Sequence, residues 1–223
     1  MKYFALIVAG GMGTRMKTDI PKQFLLLKKK PVLMHTIQAF FSSDLKPEIY
    51  LVLNIDFHQY WEKLCLEYEF NVPHRLIKAG KHRFDSVKNG LNKIAGSGIV
   101  AVHDAVRPVI SNELITKSFC VAEEKGNAVC AVQPTDSVRK QNGEFTESMN
   151  RNQIFLIQTP QTFDVNVLKK AYKQPFKVNF TDDASVAENY GLKINLIPGD
   201  VKNIKITYPL DILIADLYLS SNK

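Results

Sequence analysis

The sequence predicts an α/β fold: a single three-layer domain with a mostly parallel, twisted, Rossmann-like sheet whose ligands sit above the carboxyl ends of the strands. Two observations carry this. Short runs such as Phe4-Ala5-Leu6-Ile7-Val8, Ile49-Tyr50-Leu51-Val52-Leu53, Ile99-Val100-Ala101-Val102 and Ala128-Val129-Cys130-Ala131-Val132 are apolar at successive positions, as strands buried on both faces must be. Between them stand helical patterns, with Phe57, Trp61, Leu64 and Tyr68 in one and Val87, Leu91 and Ile94 in another, each able to lay one apolar stripe on the sheet. Trp61 therefore reads as core. With 223 residues, 45% of them apolar, residues 1–223 suit one compact domain.

The first strand empties into Ala9-Gly10-Gly11-Met12-Gly13-Thr14-Arg15, followed by Pro21-Lys22-Gln23. Glycines let backbone N–H groups approach phosphate oxygens, and Arg15 and Lys22 supply cationic charge for a polyphosphate and its transition state. The Walker pattern does not fit, because five residues on from Gly10 and Gly11 stand Arg15 and Met16. The dinucleotide fingerprint does not fit either. Its third small position would be Met16, and Leu33, Met34 and His35 occupy the region where a ribose-binding acid belongs.

Later motifs fall at strand-to-helix junctions in turn. Ala79-Gly80-Lys81-His82-Arg83-Phe84-Asp85-Ser86 follows the strand-like Arg75-Leu76-Ile77; Asp85 or Ser86 can cap the next helix, while Gly80 and Arg83 face the same crevice as the first loop. Three ionisable residues, His103, Asp104 and Arg107, end the strand at Val102, where a carboxylate can hold a hydroxyl or a cation and an arginine can neutralise a phosphate. Asp136 to Thr146 carries an Asn142-Gly143 hairpin signal between polar flanks, readable as a surface hairpin or as an arm that swaps against a second copy. In Thr181-Asp182-Asp183-Ala184 a cap residue precedes two acids suited to a helix start. Near the end, Lys205 alternates with Ile204 and Ile206, so it points away from their apolar face, either to solvent or into the crevice.

The formal net charge of +7 suits small phosphorylated ligands better than nucleic acid. The cations are scattered, the dense run Lys28-Lys29-Lys30 reads as a hairpin turn, and no aromatic-interleaved basic stripe accompanies it. Cys65, Cys120 and Cys130 are odd in number, widely spaced and set among apolar residues, which favours reduced core thiols and a cytoplasmic location. No apolar run is long enough to span a membrane, and no export signal precedes the first strand.

Taken in order, Gly-Gly-x-Gly-x-Arg with Pro-Lys-Gln, His-Asp-x-x-Arg-Pro, Gln-Thr-Pro-Gln, Thr-Asp-Asp-Ala-Ser and Asn-Ile-Lys-Ile-Thr resemble the motifs of 2-C-methyl-D-erythritol 4-phosphate cytidylyltransferases along nearly the whole chain. The resemblance implies a nucleotidyltransferase-type sheet with a β-hairpin arm, residues 136–157, that builds a homodimer. It also implies a reaction in which CTP and methylerythritol phosphate give CDP-methylerythritol and pyrophosphate, with magnesium bridging the phosphates. Carried over, Arg15 and Lys22 would stabilise charge on the α-phosphate, and Arg151 and Lys205 would orient the phosphorylated polyol, Arg151 reaching across from the partner. Ala9, Gly10, Gly11, Gly13, Gly80, Arg83 and Ser86 would surround CTP; Asp104, Arg107, Ser137 and Thr159 would line the acceptor pocket. Lys81 stands where many relatives carry an acid beside the cytosine, Ser137 replaces a threonine, and Tyr208 replaces a frequent arginine. Ribitol 5-phosphate cytidylyltransferases share several of these motifs and form the nearest rival, although Ala105 after His103-Asp104 favours the methylerythritol enzymes. A non-catalytic nucleotide-binding protein on the same scaffold is the rival from another class.

Overall fold

The computed structural model describes residues 1–11 and 20–220. In chain order its elements are β1 (Tyr3–Ala9), β2 (Leu26–Leu27), β3 (Lys30–Pro31), α1 (Val32–Phe41), β4 (Glu48–Leu53), α2 (His58–Glu67), β5 (Arg75–Lys78), α3 (Arg83–Lys93), β6 (Ile99–Asp104), α4 (Asn112–Lys125) and β7 (Asn127–Val132). They continue with β8 (Val138–Asn142), β9 (Phe145–Met149), β10 (Leu156–Asp164), α5 (Val165–Ala171), α6 (Asp183–Asn189), β11 (Leu196–Pro198) and α7 (Pro209–Ser220). Seven strands form the main sheet in the order β11-β7-β10-β6-β1-β4-β5. β1 runs parallel to β4 and β6, β4 to β5, and β7 to β11; β10 alone is antiparallel, between β6 and β7.

This order reverses at β1. The chain steps outward from β1 to β4 and β5, then returns to β6 on the other side of β1, and such a reversal opens a crevice at the strand ends. In register, Val8 faces both Val52 and Asp104, so the Gly10-Gly11 turn and the Asp104 carboxylate emerge at one level.

Alternation along β1 separates two cores. Ala5 and Ile7 pack with Leu33, Ile37, Trp61, Leu64, Ile115 and Phe119 under α1, α2 and α4. Phe4 and Leu6 pack on the opposite face with Val87 and Leu91 of α3, Leu168 of α5 and Val186 of α6. Strands buried on both faces explain the continuous apolar runs. Trp61 is the largest fully buried side chain and donates its indole N–H to His74 Nε2 at 2.8 Å; deleting such a ring costs about 3–5 kcal/mol. Gly90 lets α3 lie close on β1, because a Cβ there would stand 2.3 Å from Leu6 Cδ1.

A third, smaller cluster joins Leu27, Val32, Val106, Val109 and Ile206 to Ala215 of α7. Lys28 and Lys29 form the β2–β3 turn with φ of 49° and 63°, as the lysine run suggested. The polar hairpin forms too, but one residue on: Asn142 pairs with Phe145, leaving Gly143-Glu144 as the loop. With φ of 60° at Gly143, the left-handed residue comes first in the loop, where glycine is favoured. The ribbon takes up Val138–Met149 of the span 136–157; Leu156 and Ile157 already pair with Val132 and Ala131 in the main sheet.

Candidate active site

A cavity of about 310 Å³ opens at the carboxyl ends of β1 and β6. Its walls are the turn after β1 (Val8 to Gly11), Lys22 and Gln23, the loop into α3 (Gly80 to Arg83, with Ser86), the end of β6 (Asp104 to Val106), and Lys205. Each loop is tied down locally. Gln23 Nε2 donates to Ala9 O at 3.2 Å, and Lys22 Nζ to Ile206 O at 2.8 Å. Gly80 N donates to Ser86 Oγ at 3.1 Å, and Ser86 Oγ in turn donates to His82 O at 3.0 Å. The N-cap of α3 is His82, whose N–H is accepted by Asp85 Oδ2 at 3.0 Å; Asp85 thus supports the helix start from its third position. Glycine is required at position 80, since a Cβ there would come within 2.3 Å of Asp85 Cβ and 2.8 Å of its carbonyl carbon.

Asp104 is the electrostatic centre. Lys205 Nζ lies 2.8 Å from Oδ2, Arg107 Nε 3.6 Å from the same oxygen, and Arg83 Nε 3.6 Å from Oδ1. Burial alone would raise its pKa, but Arg83, Lys205 and Arg107 outweigh that and hold the carboxyl well below the usual range. The alternation with Ile204 and Ile206 left Lys205 two directions; Ile206 is buried against α7 and Lys205 turns into the crevice. With Lys22, Lys81, Arg83 and Lys205 against Asp104, the walls are cationic and suit a phosphate-rich anion.

Behind Asp104 runs a closed ring of polar contacts. Asp104 N–H donates to Thr159 Oγ1 at 3.0 Å, and Thr159 Oγ1 meets His103 Nδ1 at 3.1 Å. His103 Nε2 lies 3.2 Å from Arg107 O; a carbonyl only accepts, so Nε2 carries the proton, and the Thr159 hydroxyl donates to Nδ1. Arg107 Nη1 then donates to Asn203 O at 2.7 Å, and Asn203 Nδ2 to Thr159 O at 2.8 Å. Burial pushes the His103 imidazole down to about 4, which keeps the ring neutral. Thr159 reaches Asp104 because β10 breaks register between Ile157 and Gln161, re-aiming its side chain.

Of the residues singled out in the sequence, Ala9, Gly10, Gly11, Lys22, Gly80, Arg83, Ser86, Asp104 and Lys205 line the cavity. Arg107 and Thr159 are buried behind Asp104. Ser137 and Arg151 are exposed at the root of the hairpin, where Arg151 Nη1 donates to Thr135 O at 2.8 Å, and neither lines the cavity. Gly13 and Arg15 lie outside the described residues. Gln23 and His82 join the walls without having been singled out for them. Asp182, not Thr181, caps α6, and Asp183 instead accepts from Arg83 Nη2 at 2.7 Å. An acid beyond the one needed for the cap was the available signal.

The family model described as IspD, 2-C-methyl-D-erythritol 4-phosphate cytidylyltransferase, matches residues 3–221. The enzyme of that name from Porphyromonas gingivalis is 47% identical over 222 residues, covering 99% of each chain. The one from Bacteroides fragilis is 44% identical over 215 residues, covering 96% of this chain and 98% of its own. Among solved structures, 4-diphosphocytidyl-2C-methyl-D-erythritol synthase from Anaerococcus prevotii superposes with a TM-score of 0.83 at 27% identity, covering 98% of both chains. The bifunctional IspDF of Campylobacter jejuni superposes with a TM-score of 0.82 at 27% identity, over 96% of this chain and 54% of that one.

Proposed function

The chain belongs to the 2-C-methyl-D-erythritol 4-phosphate cytidylyltransferase family, and from that premise we propose how its residues divide the work. The enzyme transfers a cytidylyl group from CTP to 2-C-methyl-D-erythritol 4-phosphate, giving CDP-methylerythritol and pyrophosphate in isoprenoid precursor synthesis. The observation that carries our division of roles is the cationic crevice in which Asp104 is held between Lys205 and Arg83.

The turn at Ala9 to Gly11 and the loop at Gly80, Arg83 and Ser86 take CTP, with backbone N–H groups and Arg83 toward its phosphates, and Gly13 is assigned to the same role. An acceptor phosphate oxygen attacks the α-phosphorus in line, the bond to the bridging oxygen breaks, and pyrophosphate leaves. Lys22, with Arg15, stabilises the charge spread over the equatorial oxygens; such chemistry is mostly positioning and electrostatics. Lys205 orients the acceptor phosphate and Asp104 accepts from acceptor hydroxyls. Arg107 and Thr159 serve that end of the site through Asp104, Arg107 at its carboxylate and Thr159 at its backbone N–H.

Ser137 and Arg151 complete the acceptor pocket from a second copy, with residues 136–157 acting as the dimerisation arm of an otherwise single domain. Exposed Phe145 on the ribbon, and Phe155 and Leu156 where the chain returns to the main sheet, support that reading, since exposed apolar groups beside so little core suit a partner. The divalent cation of this chemistry is magnesium. Carried on the nucleotide phosphates that the cationic walls suit, it would neutralise developing charge. Of the three cysteines expected in the core only Cys130 is buried, Cys65 being half-buried and Cys120 exposed on α4, and all three are free thiols, which supports a cytoplasmic location.

Pyrophosphate release from CTP and magnesium with methylerythritol phosphate or ribitol 5-phosphate, repeated with UTP, tests acceptor and base together. We expect turnover with CTP and methylerythritol phosphate; faster turnover with ribitol phosphate would reassign the acceptor, and equal use of UTP would show that Lys81 relaxes base choice.

A further inference from the structure

The division of roles does not use Asp183. Asp183, the first residue of α6, is fully buried, and a lone buried carboxylate is costly unless paired and hydrogen-bonded. It is not needed for the cap, because Asp182 fills that role. Both of its oxygens are instead committed: Oδ2 accepts from Arg83 Nη2 at 2.7 Å and Oδ1 from the Tyr172 hydroxyl at 2.6 Å. Burial and the neighbouring Asp183 raise the Tyr172 pKa well above the ordinary value, so the phenol stays a donor.

Arg83 consequently spans two carboxylates of unequal hold, Asp183 at 2.7 Å and Asp104 at 3.6 Å. The segment between α5 and α6 presses on the same loop through rings. Phe176 stacks on His82 with centroids 4.3 Å apart and planes 5° from parallel, while Tyr172 and Phe180 lie 4.8 and 5.7 Å from Phe84. This layer, on the face of the sheet covered by α3, α5 and α6, fixes one side of the crevice without lining it.

We propose that Asp183, supported by Tyr172, is a positioning residue that anchors the Arg83 guanidinium toward the nucleotide and keeps it from closing on Asp104. The inference rests on the assignment of Arg83 to CTP. If it holds, Asp183→Asn loosens Arg83, which then swings toward Asp104 and competes with the acceptor.

The test is steady-state kinetics with KM for CTP, KM for the acceptor and kcat resolved, together with Tm, for Asp183→Asn, Tyr172→Phe, Arg83→Ala and the double variants Arg83→Ala/Asp183→Asn and Arg83→Ala/Tyr172→Phe. Asp183→Asn should raise KM for CTP by at least about tenfold, raise the acceptor KM as well, and change kcat less. Tyr172→Phe should move KM for CTP the same way by a smaller factor. With alanine at position 83, neither second substitution should raise KM for CTP further, because the positioned group is gone. A fall in Tm with KM for CTP unchanged would make Asp183 merely structural and overturn the proposal, as would additive effects in the double variants. Should Asp183→Asn fail to fold, the Tyr172→Phe cycle decides by the same criteria. An Arg83→Ala enzyme with unaltered KM for CTP would overturn the assignment of Arg83 beneath the proposal, an outcome distinct from Arg83 mattering and Asp183 not.

Discussion

The crevice and the β8–β9 hairpin, whose root carries Ser137 and Arg151, are built in opposite ways. Around Asp104, three cations, a neutral histidine and buried hydroxyl and amide groups close into contacts of 2.7–3.6 Å. On the hairpin, Arg139 Nε donates to exposed Thr146 Oγ1 at 2.6 Å, and Phe145 is 79% exposed. One region is buried among its partners; the other displays its polar and apolar groups to solvent. That contrast is the ground on which we propose that a second copy finishes the acceptor half of the site.

The contrast breaks first at Lys205. Lys205→Ala should cut kcat by roughly 10²–10³; because Lys205 helps hold the Asp104 carboxyl low, the acid limb of the rate profile should also move to higher pH. Measured kcat against pH reads both. Next in size is complementation. Mixing an inactive Lys22→Ala chain with an inactive Arg151→Ala chain should restore roughly a quarter of wild-type sites after random exchange, if Arg151 works across the dimer; no recovery would place it within its own chain.

The ring behind Asp104 gives a smaller, titratable signal. His103 is near 4 when folded and about 6.5 when unfolded. Between those values the unfolded chain binds the extra proton, so stability rises with pH across that window, is complete above it, and falls by at most about 3 kcal/mol toward its lower edge. His35 and His74 are also lowered by burial and add to the slope. Urea unfolding of His103→Gln should therefore show a slope reduced by about 1.4 kcal/mol per pH unit, not abolished. Smallest of all, Arg139→Ala on the hairpin should shift unfolding by less than about 0.5 kcal/mol, since exposed pairs contribute little; a larger loss would mean the ribbon is less autonomous than its exposure implies.

Much of this was legible in the sequence where chemistry is local. Asp104 and Arg107 announced themselves as charges at the end of an apolar strand, and Gly80 as a glycine at a helix entry. Lys205 was legible as a residue but not as a direction, because strand alternation says which face it leaves and not what stands there. β10 hid for a different reason. Gln158-Thr159-Pro160-Gln161 reads as polar and broken, yet Gln158, Thr159, Gln161 and Thr162 are buried in the middle of the sheet; Gln161 is satisfied by Asp182 and Ala184, Gln158 by Asp200, and Thr159 by Asp104 and His103, partners far away in sequence. Asp183 was hidden likewise. Its reason for being acidic is an arginine one hundred positions earlier.

The place of β10 between β6 and β7 also bears on how the chain emerges during synthesis. β1, β4, β5 and β6 can pair with one another as soon as residue 104 is free, but β7 lies beside β10 and β11 only. Its backbone groups must wait until residue 164 for the first neighbour and until residue 198 for the second. A nascent chain stalled before that point exposes an apolar strand, Asn127–Val132, with both edges open, and is the form in which this protein is most exposed to aggregation and to capture by chaperones.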